Sequence, residues 1–314
     1  MYLTAKNMRR TYHLCWSGKG EAIFRTREDY IHGIICLCIA CHSTGSRLLA
    51  YCFMSNHVHI CLRSDKVDVF IKAFRYSYSR YFNSKYKRRG RLGERTFFTT
   101  EIKGLHHILA VISYILRNPV HHGICRTPFE SEFSSVSAAF STELGQCFEG
   151  NGPEGRIPYR QIPSRHTLPP HAKISYTGNI VPSSIIDTVD LEHMFATARS
   201  YLYFMNRLSG EEWEKEQEKD NCGDAPIRIE DIESGIQGTP LQQMLANEHG
   251  RSRPSDIDDI KLCTLIDKLI HNISDCLTVY TINHEQACRI KAHILKKHHV
   301  STEQISRCLM PRRR

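Results

Sequence analysis

One stretch, Tyr51-Cys52-Phe53-Met54-Ser55-Asn56-His57-Val58-His59-Ile60-Cys61-Leu62, constrains this chain more than any other. Side chains alternate along an extended strand, so His57 and His59 point one way while Val58, Ile60 and Leu62 point the other. The strand therefore has one wet face and one dry face. Downstream lies Ser113-Tyr114-Ile115-Leu116-Arg117-Asn118-Pro119-Val120. Residues four apart on a helix sit one turn over another, so Tyr114 and Asn118 share a face, and Pro119 is expected to end the helix just past them. The two histidines, the phenol and the amide could then converge on one ion.

The order of elements extends that reading. A strand is expected near Arg10–Trp16, a helix near Arg27–Cys41, then strands Arg47–Phe53 and His57–Arg63 joined at Ser55-Asn56. A helix from about Val67 to Lys87, a strand near Phe97–Ile102 and a helix from about Leu105 to Arg117 follow. This β-α-β-β-α-β order describes a ferredoxin-like antiparallel sheet in an α+β fold. Both crossover helices lie on one face, and the tyrosine-bearing helix covers the other.

The chain has 314 residues, 41% of them hydrophobic, enough for a real core and for one to three domains. No run of about eighteen apolar residues occurs, and the opening Met1-Tyr2-Leu3-Thr4-Ala5-Lys6-Asn7 lacks a signal-peptide core, so no membrane partner and a cytoplasmic, nucleoid-associated location are expected. Thirteen cysteines without framework spacing fit reduced, buried thiols. The cluster Cys36-Leu37-Cys38-Ile39-Ala40-Cys41-His42 has no second ligand pair at zinc spacing and reads as core.

Net charge is +9, yet residues 1–142 carry +12 and the remainder −3. The positive field belongs to the N-terminal part. It is densest where Lys72, Arg75, Arg80, Lys85, Lys87, Arg88, Arg89, Arg91 and Arg95 interleave with Phe74, Tyr76, Tyr78, Tyr81, Phe82 and Tyr86. Cations beside aromatic rings suit single-stranded nucleic acid through phosphate pairing and base stacking. A solvated helix face whose aromatics pack on the sheet explains the pattern as well.

Residues 143–185 shift to Gly, Pro, Ser and His and read as a linker or irregular wrap. A helical extension over 186–250 is expected from Leu191, Met194, Phe195, Ala198, Tyr201, Leu202 and Met205 at helical spacing, continuing to Lys219. Residues 256–314 form a helical module. In it His284–Lys297 and Ser301–Leu309 resemble the first two helices of a helix-turn-helix unit, with the third expected to be missing and a basic tail, Arg312-Arg313-Arg314, in its place.

Histidine pairs alone are weak evidence in a chain with 18 histidines, which also contains His106-His107, His121-His122 and His298-His299. The combination is specific. Met54-Ser55-Asn56-His57-Val58-His59, the Ser79-Arg80-Tyr81-Phe82-Asn83 helix and Tyr114-Ile115-Leu116-Arg117-Asn118-Pro119-Val120, in that order, resemble the single-tyrosine HUH transposases, most closely the REP-associated tyrosine transposases. The likeness spans roughly residues 8–140. Glu130-Ser131-Glu132-Phe133-Ser134-Ser135 is similar to the segment that closes the family's domain, whereas Ser55 stands where the family usually has Pro.

The resemblance implies that His57, His59 and Asn118 hold a divalent ion, Mg²⁺ or Mn²⁺, and that Tyr114 attacks DNA to leave a 5′-phosphotyrosine and a free 3′-OH. Imidazole and amide donors with open positions suit such ions. The function implied is metal-dependent nicking and strand transfer on single-stranded or hairpin DNA, that is, DNA transposition. A noncatalytic single-strand-binding protein and a replication-initiator nuclease are the alternatives. A homodimer is left open.

Overall fold

The two-faced strand sits inside a four-stranded antiparallel sheet. The computed structural model describes residues 9–145, 168–175, 177–206 and 257–309. Strands β1 (Thr11–Ser17), β2 (Arg47–Phe53), β3 (His57–Arg63) and β4 (Phe98–Ile102) run in the order β2-β3-β1-β4. Helices α1 (Arg27–Thr44) and α2 (Val67–Lys85) are the crossovers, and α3 (Leu105–His121) follows β4. This is the ferredoxin-like α+β architecture, with all ladders antiparallel.

Register decides which side chains share a face. Leu14 pairs with Ile60 and Trp16 with Val58, whereas Cys15 pairs with His59 and Ser17 with His57. The first set is fully buried against the α1 and α2 layer, where Trp16 meets Phe74 and Tyr78 edge-on. Opposite it, α3 packs on β2 and β3 over the histidine face.

The interleaved aromatics of α2 are mainly core. Phe70, Phe74, Tyr78 and Phe82 recur every fourth residue and are 0% exposed, so they form a single buried stripe. Beneath them lies Asp29, also 0% exposed, at the start of α1. Its carboxylate accepts from the backbone N–H groups of Arg25 and Thr26, from the hydroxyls of Tyr81 and Tyr86, and from Lys85 Nζ at 2.7 Å. A buried carboxylate with five donors is a structural hub, and it draws Lys85, Tyr81 and Tyr86 inward. Tyr76 is the exposed exception, with Arg80 over its ring at 5.5 Å.

The cysteines of α1 pack as expected. Cys36, Cys38 and Cys41 are free and buried, and burial pushes the Cys38 thiol up to about 12.

One boundary differs from the sequence expectation. Pro119 does not stop α3, which continues to His121. A proline so near the end removes a single intrahelical hydrogen bond, and the chain then closes on itself, with His122 N donating to Asn118 O and Ile124 N to Pro119 O. The extra turn brings His121 and His122 alongside the histidine face.

Residues after α3 seal the β2 edge. Phe53 N donates to Phe133 O and Ser135 N to Tyr51 O, forming an isolated bridge at Cys52 and Ser134. The long helix expected from Asp187 is two short ones, α4 (Thr188–Phe195) and α5 (Ala198–Asn206). They are separated at Ala196, whose φ of 63° lies in the left-handed region. Leu191, Phe195, Tyr201 and Met205 nevertheless supply the expected apolar stripe. The continuation to Lys219, most of the 143–185 linker and the terminal arginines lie outside the described residues.

Three C-terminal helices, α6 (Asp259–His271), α7 (His284–Lys297) and α8 (Thr302–Cys308), enclose a core of their own that includes Leu262, Ile266, Ile290, Ile294 and Ile305. Ala22 from the N-terminal part joins that core. Ala22 N donates to Arg307 O, and the fully buried Arg25 donates to Cys308 O at 2.7 Å and to Asp267 at 2.8 Å. The α8 end of the module is thus held by the N-terminal loop between β1 and α1. Among the described residues no helix is long and apolar enough to cross a membrane.

Candidate functional site

β3 sets His57 and His59 on one face, and α3 lowers Tyr114 and Asn118 onto it. All four are at most 2% exposed. Asn118 links them, because its Oδ1 lies 2.9 Å from His57 Nε2 and its Nδ2 donates to Tyr114 Oη at 3.3 Å. The His59 and Tyr114 rings meet edge-on with centroids 5.4 Å apart. The four residues singled out in the sequence are therefore brought together.

The histidines are neutral. Burial pushes His57 down to about 3, with His122 and Arg307 adding to the effect, and burial beside His57, His13 and His122 holds His59 well below its usual value. A neutral imidazole has a single N–H. Yet His57 Nδ1 faces Asn56 Oδ1 at 2.8 Å while its Nε2 faces Asn118 Oδ1 at 2.9 Å. With Nδ1–H donated to Asn56, the Nε2 lone pair confronts a second acceptor, and that pair of lone pairs calls for a cation. His59 repeats the pattern: its Nδ1 lies 3.1 Å from His13 Nε2, while its Nε2 is buried without a partner. Asn56 and His13 each fix one ring nitrogen and leave the other as a donor atom, which is how ligand histidines are oriented at metal centres.

The donor set of two imidazoles and one amide oxygen fits a divalent ion of the Mg²⁺ or Mn²⁺ class. Among the described residues, no group of three or more His, Cys, Asp or Glu side chains is placed to hold an ion.

Several neighbours were not legible from motifs. His13 enters through register, since it lies on β1 in the same phase as Cys15, the partner of His59. Its alternation with Leu14 and Trp16 was the available signal. His121 stacks on Tyr114 at 5.6 Å and His122 comes within 5.4 Å of His57, centroid to centroid. Both looked like background histidines because a helix ending at Pro119 would not have carried them here.

The cations divide by position. Antiparallel return of α2 carries Lys85 and the following loop to the end of the sheet where β3 begins. There Glu94 N donates to Ser17 O at 2.8 Å, and Ser17 pairs with His57. Gly93 permits that approach, because its φ is +60° and a Cβ would lie 2.6 Å from Ser17 O. Lys87, Arg89, Arg91 and Arg95 are exposed on this loop. Lys72, Arg75 and Arg80 lie along α2, on the layer opposite the histidines. Lys85 is bound to Asp29, and Arg88 stacks on Tyr280 at 5.5 Å.

Residues 6–118 match the family described as IS200-like transposases. Among solved structures, a REP-associated tyrosine transposase bound to a REP hairpin is 12% identical, covers 46% of this chain and 86% of its own, and superposes with a TM-score of 0.38. A chain assigned as a transposase from Deinococcus radiodurans R1 is 20% identical over 38% of this chain and 97% of its own, with a TM-score of 0.29. No curated protein matches. The family match over residues 6–118 takes in His57, His59, Tyr114 and Asn118.

Proposed function

We propose that the protein is a metal-dependent single-strand DNA endonuclease and strand transferase that acts through a 5′-phosphotyrosine intermediate on single-stranded or hairpin DNA. The observation that carries this reading is Asn118, whose one amide touches both His57 and the phenol of Tyr114. It ties a nucleophile to a cation-seeking lone-pair cluster.

In this reading His57, His59 and Asn118 would hold the ion, with His13 and Asn56 fixing the ring orientations. A divalent cation bound there supplies Lewis-acid polarisation of the scissile phosphate and neutralises developing charge. A free phenol of ordinary pKa is only about 0.1% ionised at neutral pH, so attack needs help. Asn118 Nδ2–H donates to the Tyr114 oxygen, and that hydrogen bond strengthens as charge develops on it. The Tyr114 Oη–P bond forms, the P–O3′ bond breaks, and the departing 3′ oxygen takes up a proton. The phosphodiester energy is conserved in the tyrosyl ester, so a second strand end can be joined without ATP. Because Tyr114 is 2% exposed, engaging a phosphate requires rearrangement around it, and adduct formation is expected to lag behind binding.

Exposed cations of the α2–β4 loop, Lys87, Arg89, Arg91 and Arg95, would pair with phosphates leading into the site, with Arg75, Arg80 and Lys72 more remote. The test is incubation with a labelled hairpin oligonucleotide drawn from the sequence flanking the coding region, with Mn²⁺ or EDTA, on denaturing gels. A metal-dependent protein–DNA band that disappears in Tyr114→Phe is expected. Retarded DNA on native gels with no covalent band would replace catalysis with noncatalytic single-strand binding.

A further inference from the structure

The C-terminal module meets the catalytic domain at the turn that presents His57. Ser55 Oγ donates to Asp259 Oδ2, and the same carboxylate holds Arg307 through Nε at 2.7 Å and Nη2 at 3.0 Å. The two contacts use one edge of the guanidinium and leave Nη1 outside the pair. Around this point, Ile23 N and Phe24 N donate to Ser55 O, and Ala22 N donates to Arg307 O. The turn Ser55-Asn56 is thus clamped between the β1–α1 loop and α8. Asn56 in turn fixes His57. After burial, the charge of Arg307 also contributes to lowering His57 and His122.

A second observation lies on the same side of His57. His122 Nε2 is buried without a hydrogen-bond partner, and its ring is 5.4 Å from that of His57. The ring nitrogen, with no partner among the described residues, and the guanidinium edge outside the Asp259 pair can each donate a hydrogen bond. An anionic oxygen satisfies both. Next to a tyrosine nucleophile, the anion of fitting chemistry is a phosphodiester of the bound strand, adjacent to the one under attack.

We propose that Arg307 and His122 form a phosphodiester subsite beside His57, so that the C-terminal module completes the DNA-processing site. The inference rests on the transposase reading above. Asp259 is the positioning residue of this subsite, because it aims Arg307 without touching DNA. The bidentate pair holds the guanidinium plane, and the Ser55 contact ties that plane to the histidine-bearing turn. Phosphate contact by a fixed fork sets the register of the strand but carries no sequence information.

The experiment uses the full chain and one fluorescein-labelled single-stranded hairpin oligonucleotide from the flanking sequence. Binding is read by anisotropy against salt in EDTA, and adduct formation is read on denaturing gels in Mn²⁺. Arg307→Gln should lower the adduct rate at least tenfold and reduce the slope of log affinity against log salt by about 0.7, the value for one phosphate contact on a single strand. Arg307→Lys should retain the slope and recover part of the rate, a rescue that loss of packing would not show. His122→Gln, which leaves the module's contacts untouched, should slow the adduct with a smaller change in slope. If Arg307→Gln disrupts docking, seen as a lost cooperative melt, His122→Gln and Arg307→Lys decide the matter. An adduct rate unchanged in His122→Gln and a wild-type slope in Arg307→Gln would overturn the subsite. Absence of any adduct in the wild type would defeat the transposase reading instead, while the salt slopes still judge the phosphate contact.

Discussion

Both faces of the N-terminal sheet bury polar groups, and they do so in opposite ways. Under α2, Asp29 gathers five donors and leaves none of its accepting capacity idle. Under α3, His59 Nε2 and His122 Nε2 are buried with no partner among the described residues, and His57 faces two acceptors with one proton. Burying a polar atom without a hydrogen bond costs free energy, so a fold retains the second arrangement only where something else completes it. The comparison separates a polar cluster satisfied within the fold from one that, in the proposed reading, a ligand completes.

The sharpest way to break it is Asp29→Ala. That change leaves the Tyr81 and Tyr86 hydroxyls without their acceptor, takes one partner from Lys85, and removes the carboxylate that accepts from the Thr26 N–H at the start of α1. Each interior donor left unsatisfied costs about 1–3 kcal/mol, so with several stranded at once urea denaturation should show a loss of roughly 3 kcal/mol or more. If the variant unfolds within ~1 kcal/mol of wild type, Asp29 is not the hub described.

Next in size is the contact between the N-terminal domain and the C-terminal module, which should weaken in acid. Burial alone would push Asp259 up, but Arg307 and the Ser55 hydroxyl outweigh it and hold the carboxyl below its usual value. In the unfolded chain the same group titrates near ~3.9. Its stabilisation is therefore complete above that value and is lost as pH falls through the lower folded value. Charge-assisted hydrogen bonds of this kind contribute roughly 1.5–3 kcal/mol. Denaturation of wild type and Asp259→Asn across pH 7 to 3 should give curves separated by about that amount at neutral pH and converging at the acid end. Parallel curves would remove Asp259 from the interface energetics.

His59→Leu tests the other face. The ring loses its contact with His13 but also its partnerless nitrogen, so stability should change by about 1 kcal/mol or less. The variant differs from wild type in ligand linkage: Mn²⁺ should raise the wild-type melting midpoint, because only the folded chain binds it, and leave the variant's midpoint unmoved. An equal upward shift in both would place the ion elsewhere.

Much of this was legible before any coordinates. Alternation in His57-Val58-His59-Ile60 and the Tyr114/Asn118 spacing are local signals, and both hold in the fold. What escaped depends on long-range register or on chain continuation. His13 matters through its ladder position beside His59, and His121 and His122 matter because α3 passes Pro119 by one turn. Arg307 and Asp259 lie over two hundred residues from Ser55, and no local period announces a contact of that separation. The α2 aromatics illustrate the reverse case. Their fourfold spacing marked a buried stripe, yet interleaved cations made the same residues look like a stacking surface.

The smallest expected effect concerns those cations. Lys72 and Arg80 are exposed on α2, on the layer opposite the histidines, while Arg89 and Arg91 are exposed on the loop at the His57 end of the sheet. None of the four should alter stability by more than about 0.5 kcal/mol on truncation to alanine, since all are exposed and the one contact among them, Arg80 over Tyr76, lies at the surface. Their effects on DNA binding should differ. A strand that enters at the His57 end passes the loop, so Arg89→Ala and Arg91→Ala should each reduce the salt slope by up to about 0.7, whereas Lys72→Ala should leave it within error. The reverse ranking would mean that DNA runs along the outer surface of α2, with the sheet between it and Tyr114. No single bound strand could then serve both the basic helix and the nucleophile without wrapping the sheet edge, and the polar cluster under α3 would need another ligand to account for its lone pairs.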